Sequence, residues 1–199
     1  MKLKSLSDDW QYAKAGLEDA YHIVYYIPSG YTDSTNWTTR IKKFKWNNDN
    51  ENDNLVIDNC TKAISSAKLK FDYVIRTLGS SETTPITTAK LIPLAKSIAK
   101  ATSAKYLPRL LKKKRATTPL HKLPDLAARK AEINGVFEIE NKGEDDLDNK
   151  TILIVDDIST ACVTSAEMIK TIKERWPNTT FYLFCIGRTK YDEHANQNL

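Results

Sequence analysis

The sequence predicts an α/β protein in which a parallel, twisted sheet is flanked by helices. From residue 71 onward, short apolar segments rich in β-branched residues alternate with segments of helical periodicity. Such alternation is typical of β-α-β units, whose crossover connections make the strands parallel. The length of 199 residues, with 41% hydrophobic and 28% charged residues, fits a globular chain with its own core. This composition excludes a collagen, a mucin-like stalk and a wholly disordered chain.

The first 70 residues are predicted to form a small N-terminal hood, and residues 71–199 the α/β core. Within the hood, helices are predicted where apolar residues recur every three or four positions. Strands are predicted where β-branched and aromatic residues run together or alternate with lysines. The predicted elements are a helix over 1–20, strands over 22–27 and 40–46, a polar loop over 47–54 and a helix over 55–69.

In the core, apolar runs are separated by loops rich in Gly, Pro, Ser or Thr and by helical segments. The predicted strands are 71–76, 104–110, 135–139, 151–155 and 180–186, the helices are 86–101, 126–133 and 163–175, and the loops are 77–85, 112–124 and 143–149. Ligands of parallel sheets bind beyond the carboxyl ends of the strands. The loops after strands 71–76, 104–110 and 151–155 are therefore the places where a site is expected.

Positive charge is concentrated in one part of the chain. The net charge is +5, yet residues 90–130 contain twelve Lys or Arg and a single acid, Asp125. A segment this one-sided predicts a surface that faces anions, either nucleic acid or a phosphorylated small molecule. The alternative is a solvated helix face joined to a basic loop, and composition alone does not separate the two.

The cysteine pattern and the absence of long apolar runs predict a cytoplasmic protein that does not enter a membrane. The three cysteines lie far apart and none belongs to a CxxC pair, so neither a disulfide framework nor a structural zinc site is expected. No apolar run approaches the ~20 residues that span a bilayer. The lysines at the N-terminus are not followed by the apolar stretch of a secretory signal.

The segment after the strand at 151–155 carries the residues of a candidate ligand site. Two adjacent carboxylates, Asp156 and Asp157, precede a turn of small and hydroxyl-bearing residues that leads into a predicted helix. The free amides at a helix start suit a phosphate group, and two carboxylates suit the two hydroxyls of a vicinal diol. A phosphate one turn away from a diol describes a ribose 5-phosphate. The alternative is a purely structural strand, turn and helix with an acidic tip.

The run 152–164, ILIVDDISTACVT, resembles the phosphoribosyl pyrophosphate (PRPP) motif of type I phosphoribosyltransferases. That motif consists of four apolar residues, two acids, an apolar and a variable residue, Thr-Thr-Gly, a variable residue and Thr. The matching positions are Asp156, Asp157, Thr160 and Thr164. Ala161 replaces the second Thr, and Cys162 replaces the Gly, which in the motif tolerates a positive φ and lets the backbone approach the phosphate.

Residues 71–188 look like the ComF-like branch of this superfamily, the competence-associated phosphoribosyltransferase-like proteins. The run 110–119, LLKKKRATTP, is similar to the basic run of that family, which ends in Thr-Thr-Pro. The family also has an Arg…Gly-x-Phe segment, which Arg129, Gly135 and Phe137 match in this chain. The chain departs from the family in three ways: Glu132 stands where Asn is usual, the loop over 77–82 lacks basic residues, and no cysteine-rich zinc module precedes the core.

The resemblance implies the type I phosphoribosyltransferase fold and a Mg²⁺-dependent enzyme in which a nitrogen nucleophile displaces pyrophosphate from C1 of PRPP. Asp156 and Asp157 are the implied catalytic residues, which hold the ribose hydroxyls and place the anomeric carbon. The residues implied for the 5-phosphate are Ser159, Thr160, Ala161, Cys162, Val163 and Thr164. Those implied for pyrophosphate are Arg76, Thr77, Leu78 and Gly79. A flexible basic loop that closes over the site is implied for Lys112, Lys113, Lys114 and Arg115.

The same resemblance bears on metal and partners. Mg²⁺ usually binds through the phosphates of its substrate, so no dedicated metal site is expected in the protein. Dimers are common in the superfamily, and a homodimer is one expected state. The acceptor is not identified by the sequence, and the aromatic residues of the hood are expected either in the core or as a platform on which a base stacks.

Two further functions stay open beside the transferase. One is a non-catalytic module that senses PRPP or a nucleotide, suggested by Ala161, Cys162 and the loop that lacks basic residues. The other is a nucleic-acid-associated protein of DNA uptake or of a defence complex, which would bind nucleic acid or a protein partner through the basic segment 90–130.

Overall fold

The computed structural model describes residues 2–6, 10–140 and 145–197, with eight strands and six α-helices in this part of the chain. The strands are β1 (Lys4–Ser5), β2 (Asp19–Tyr26), β3 (Tyr73–Arg76), β4 (Lys105–Tyr106), β5 (Leu111–Lys113), β6 (Phe137–Ile139), β7 (Thr151–Ser159) and β8 (Thr180–Thr189). The helices are α1 (Trp10–Lys14), α2 (Trp37–Trp46), α3 (Asn50–Ser66), α4 (Leu91–Thr102), α5 (Leu126–Ile133) and α6 (Val163–Lys173).

A six-stranded sheet forms the centre of the fold, with the strand order β1-β2-β8-β7-β3-β4. All neighbouring strands are parallel except β1 and β2, which pair antiparallel at one edge. Strands β5 and β6 form a separate antiparallel hairpin. The predicted α/β fold with a parallel sheet flanked by helices is confirmed.

The central strand β7 is apolar because helices cover both faces of the sheet. Ile152 and Ile154 pack into a cluster with residues of α1, α5 and α6 on one face. Leu153 and Val155 pack into a second cluster with residues of α2, α3 and α4 on the other face. All four side chains are fully buried, which is why the sequence reads as a continuous apolar run rather than as an alternating one.

The first 70 residues contribute to the central sheet as well as to its helical cover. Strand β2 lies within the sheet and pairs along its length with β8, and the strand predicted at 22–27 is thereby confirmed. Of the helix predicted over 1–20, only Trp10–Lys14 is helical in the described residues, since strands occupy Lys4–Ser5 and the region from Asp19 onward. The division of the chain at residue 70 stays a prediction.

The strand predicted at 40–46 is wrong, because these residues belong to helix α2. Ile41 and Phe44 are buried and lie three positions apart, on the face of α2 that meets the sheet. In a segment this short, IKKFKW satisfies both a period of two and a period near 3.6. The polar loop predicted at 47–54 is also shorter, because Asp49 caps α3 by accepting a hydrogen bond from the amide of Asn52 at 3.1 Å.

Most core elements follow the prediction with shifted ends, but of the strand predicted at 104–110 only Lys105–Tyr106 is a strand. Strands β7 and β8 each extend three or four residues beyond their predicted carboxyl ends, and α4 begins at Leu91 instead of residue 86. The basic loop predicted at 112–124 begins in strand β5 and contains a 3₁₀ turn at Leu120–Lys122. Part of the turn predicted at 143–149 lies outside the described residues. No helix in the described ranges has the length and apolar character that crossing a membrane requires.

Candidate functional site

The two candidate carboxylates lie at the carboxyl end of the central strand. Asp156 and Asp157 are still part of β7, between its neighbours β3 and β8. The Thr77 hydroxyl, from the residue after β3, donates to Asp156 Oδ1 at 2.8 Å. Each carboxylate also accepts from the next backbone amide, Asp157 N to Asp156 Oδ1 at 2.9 Å and Ile158 N to Asp157 Oδ1 at 2.6 Å.

Helix α2 supplies a cation to this acidic pair. Lys45 Nζ lies 2.8 Å from Asp157 Oδ2, and both side chains are largely shielded from solvent. Burial alone would lower the Lys45 pKa, but the charge of Asp157 and its hydrogen bond outweigh burial, so the net pKa is raised and the ammonium is retained. The sequence does not predict Lys45 for this site, because the alternation of residues 40–46 indicates a strand rather than helix α2.

Asp156 is harder to ionise than an ordinary carboxyl group. Burial is the main cause and the neighbouring charge of Asp157 the second, and together they raise the pKa of Asp156 to about 7. The hydrogen bond from Thr77 and the charge of Lys45 act in the opposite direction without cancelling this effect. A carboxyl that changes charge near neutral pH at the end of a central strand is a feature of functional sites.

The turn after β7 enters helix α6 through a residue in the left-handed region. Cys162 has φ 53° and ψ 23°, the backbone region for which the Gly of the PRPP motif is suited. Its side chain is only 6% exposed, and its Sγ lies 3.2 Å from Ser159 Oγ beneath the turn. The thiol therefore packs in the core and does not narrow the outer side of the turn.

The outer side of the turn carries hydroxyl and amide groups. Thr160 is exposed, and its Oγ1 lies 2.8 Å from Thr189 Oγ1 at the end of β8. The first amides of α6, beginning at Val163, have no partners within the helix, as at any helix start. Thr164 lies half-buried in this first turn. The structure thus brings residues 159–164 together beside Asp156 and Asp157.

Several donors of β3 and of the loop after it bind acceptors within the protein. Arg76 is 4% exposed and binds Glu82 with both terminal nitrogens, at 3.0 and 2.6 Å. The amide of Gly79 also donates to Glu82, at 2.6 Å, and the amide of Thr77 donates to Val155 O at 3.0 Å. Leu78 is buried among apolar residues. The assignment of residues 76–79 to pyrophosphate stays a prediction.

The basic loop is attached to the loop after β3. Lys113 is 4% exposed, and its Nζ donates to Gly79 O at 2.8 Å. Burial lowers the pKa of Lys113 to about 8. The amides of Lys113 and Thr117 donate to the carbonyls of Thr83 and Ser80, at 2.7 and 2.8 Å.

The neighbours of Lys113 in the basic loop lie nearer the surface. Lys112 forms an ion pair with Glu138 at 3.0 Å, and Arg115 forms one with Glu132 at 3.1 Å. Lys114 is exposed, and its amide donates to Val136 O at 2.8 Å. The base of the predicted lid is therefore tied to the hairpin and to α5, and its closure over the site stays a prediction.

Much of the charge of segment 90–130 is balanced in the folded chain. Within the described residues, five of its basic residues form ion pairs with acids that all lie outside residues 90–130. The pairs are Lys90–Asp53, Lys105–Asp145, Arg109–Glu140, Lys112–Glu138 and Arg115–Glu132. The surface is less one-sided than the linear sequence predicts. Among the described residues, no three His, Cys, Asp or Glu side chains converge on a point that could hold a metal ion.

No model of a known protein family matches the chain, and no curated protein matches it in sequence. Among solved structures it is similar to a purine phosphoribosyltransferase from Pyrococcus horikoshii Ot3, with 16% identity, 69% of this chain and 73% of that chain covered, and a TM-score of 0.41. The hypoxanthine-guanine phosphoribosyl transferase of L. donovani is 18% identical, with 67% of this chain and 70% of that chain covered and a TM-score of 0.38. A hypoxanthine phosphoribosyltransferase of Staphylococcus aureus is 10% identical, with 70% of this chain and 75% of that chain covered and a TM-score of 0.39. Likenesses at this level carry no argument about what the chain does.

Proposed function

We propose that this chain binds PRPP and transfers its phosphoribosyl group to a nitrogen nucleophile, with release of pyrophosphate. One observation carries the proposal. An adjacent pair of carboxylates lies near the carboxyl end of the central parallel strand β7, which ends at Ser159, and the turn that follows opens a helix through the left-handed residue Cys162. We infer from this order that acceptors for two hydroxyls stand beside donors for a phosphate, the combination that a ribose 5-phosphate requires.

The two halves of the site have separate tasks in this proposal. The amides and hydroxyls of residues 159–164 bind the 5-phosphate, because a helix start and its hydroxyl side chains favour an anion. Asp156 and Asp157 accept hydrogen bonds from the ribose hydroxyls. Thr77 and Lys45 hold the two carboxylates from opposite neighbours, β3 and α2, so that the sugar meets a fixed pair of acceptors.

The transfer forms a bond between the acceptor nitrogen and C1 of the ribose and breaks the bond between C1 and the pyrophosphate oxygen. The electron pair of the broken bond leaves with pyrophosphate. A Mg²⁺ ion bound through the pyrophosphate oxygens would neutralise this charge, and Mg²⁺ commonly binds in this way with few protein ligands. The chain's own residues hold the sugar so that C1 faces the acceptor.

Calorimetric titration of PRPP, with and without Mg²⁺, tests the proposal. The wild-type chain should bind PRPP with Mg²⁺-dependent affinity, and the double variant Asp156→Asn and Asp157→Asn should lose binding. The matched control is Asp145→Asn with Asp146→Asn, which removes the same charge near the amino ends of β3 and β4, where Asp145 pairs with Lys105. Equal PRPP binding by the wild type and the site variant would refute the proposal.

A PRPP-sensing module without turnover is the second candidate. The terminal nitrogens of Arg76, the hydroxyl of Thr77 and the amide of Gly79 already have acceptors within the protein, which favours a chain that binds the sugar phosphate but holds pyrophosphate weakly. Release of pyrophosphate from bound PRPP, assayed against a panel of nitrogen bases, separates the two functions. Binding without release for every base would favour the sensor.

A further inference from the structure

Arg188 lies directly behind the turn that follows β7. It is the last residue but one of β8 and pairs with Ser159 in the parallel register. Its Nη1 donates to the carbonyl oxygen of Ser159 at 3.3 Å and also to that of Thr160. The guanidinium carbon lies 5.3 Å from the centre of the Tyr12 ring, a side chain buried in the core beneath the sheet.

Because the peptide bond is planar, these contacts also determine the direction of two amides on the opposite side of the turn. In a trans peptide unit, the carbonyl of one residue and the amide of the next point in opposite directions, and the described residues contain no cis peptide. Because the carbonyls of Ser159 and Thr160 point to Arg188, the amides of Thr160 and Ala161 point away from it. They face the outer side of the turn, where Thr160 is exposed.

We propose that Arg188 is a positioning residue, which aims the amides of Thr160 and Ala161 at the 5-phosphate of the ligand without touching that phosphate. The inference rests on the proposed function of the turn. Arginine suits this task, because its planar group carries several donors in a fixed arrangement and can hold two carbonyls at once. A lysine would keep the charge but not this arrangement.

Binding of ribose 5-phosphate by three variants tests the role of Arg188. Arg188→Lys keeps the charge, and Arg188→Met removes it. The matched control is Arg175→Met, because Arg175 also lies over an aromatic ring, Trp176, at 4.6 Å, but beyond the other end of α6. Both variants of Arg188 should bind ribose 5-phosphate at least roughly tenfold more weakly, the effect of one lost hydrogen bond to a charged group. Arg175→Met should bind like the wild type.

The outcomes separate this inference from the function on which it rests. If the wild-type chain does not bind ribose 5-phosphate, both the proposed function and the role of Arg188 are wrong. If the wild type binds and Arg188→Lys binds equally well, only the role of Arg188 is wrong, since charge alone then suffices. Thermal unfolding of each variant shows whether the fold is retained.

A second measurement uses the wild type alone and does not depend on whether the variants fold. In ¹⁵N NMR spectra, the amide resonances of Thr160 and Ala161 should shift on titration with ribose 5-phosphate, because they would become hydrogen-bond donors to the phosphate. Titration with ribose, which lacks the phosphate, should leave them in place. Binding of ribose 5-phosphate without a change in these two resonances would overturn the proposed role.

Discussion

At the scale of single residues, the two adjacent carboxylates of the candidate site lie in different surroundings. Asp156 is held by the neutral hydroxyl of Thr77, and Asp157 by the ammonium of Lys45. Burial and the adjacent charge of Asp157 raise the pKa of Asp156. The hydrogen bond from Thr77 does not cancel this rise, because a neutral hydroxyl stabilises a carboxylate less than a cation does. The candidate site thus holds a carboxyl whose charge responds to the pH near neutrality.

The raised pKa of Asp156 predicts a pH-dependent stability. An unfolded chain has an ordinary aspartate pKa, about 3.9, so the folded chain binds this proton more tightly. The resulting contribution to stability is complete below that pH and is lost as the pH rises toward about 7, the pKa in the folded chain. We expect Asp156→Asn to flatten the fall in unfolding free energy between pH 4 and pH 7, as measured by urea denaturation.

The matched control for this experiment is Asp125→Asn, which removes an exposed carboxylate from the N-terminus of α5. That variant should keep the wild-type fall over the same pH range, because Asn caps a helix about as well as Asp does. If Asp156→Asn falls as steeply as the wild type does, Asp156 is ionised throughout the range and the assigned pKa is wrong.

The left-handed backbone at Cys162 predicts an unusual order of stability among its variants. Cys162→Ala and Cys162→Gly both remove the buried thiol, but glycine adopts φ 53° without the penalty that an L side chain has there. We therefore expect the glycine variant to be more stable than the alanine variant by about 1 kcal/mol. In a chemical denaturation series, an alanine variant of higher stability would contradict the strain argued for this position.

At the scale of elements, the loop after β3 is organised by one buried ion pair. Glu82 accepts from Arg76, from the amide of Gly79 and from the amide of Ile86. The hydrogen bonds and the charge of Arg76 outweigh burial and keep the pKa of Glu82 below its ordinary value. A single carboxylate therefore fixes the path of residues 76–86 and, through Thr77, the position of Asp156.

Removal of this carboxylate should destabilise the chain strongly. Glu82→Ala leaves the Arg76 guanidinium buried without its partner, and breaking a buried pair in this way typically costs about 3–5 kcal/mol. Glu138→Ala is the control, because its pair with Lys112 is half-exposed and should contribute about 1 kcal/mol or less. Equal losses in urea denaturation would show that the Arg76–Glu82 pair is no more important than a surface pair.

At the scale of the whole molecule, the parallel sheet and the position of the turn after β7 could be predicted from the sequence. The apolar run 152–155 and the hydroxyl-rich segment that follows are local patterns, and local patterns can be read without a partner. Lys45 and Arg188 could not be found in this way. They reach the site through the packing of α2 and β8, and nothing in their immediate sequence indicates that contact.

The inner position of β2 has a consequence for how separate copies of this chain behave. Strand β8 would have a bare row of amides and carbonyls along one side if β2 were missing, as in a chain that starts at residue 71. Unpaired strand edges recruit strands from other molecules and start aggregation. Because β2 pairs with β8 from Asp19 to Tyr26, we expect that the N-terminal part keeps neighbouring chains from pairing with β8.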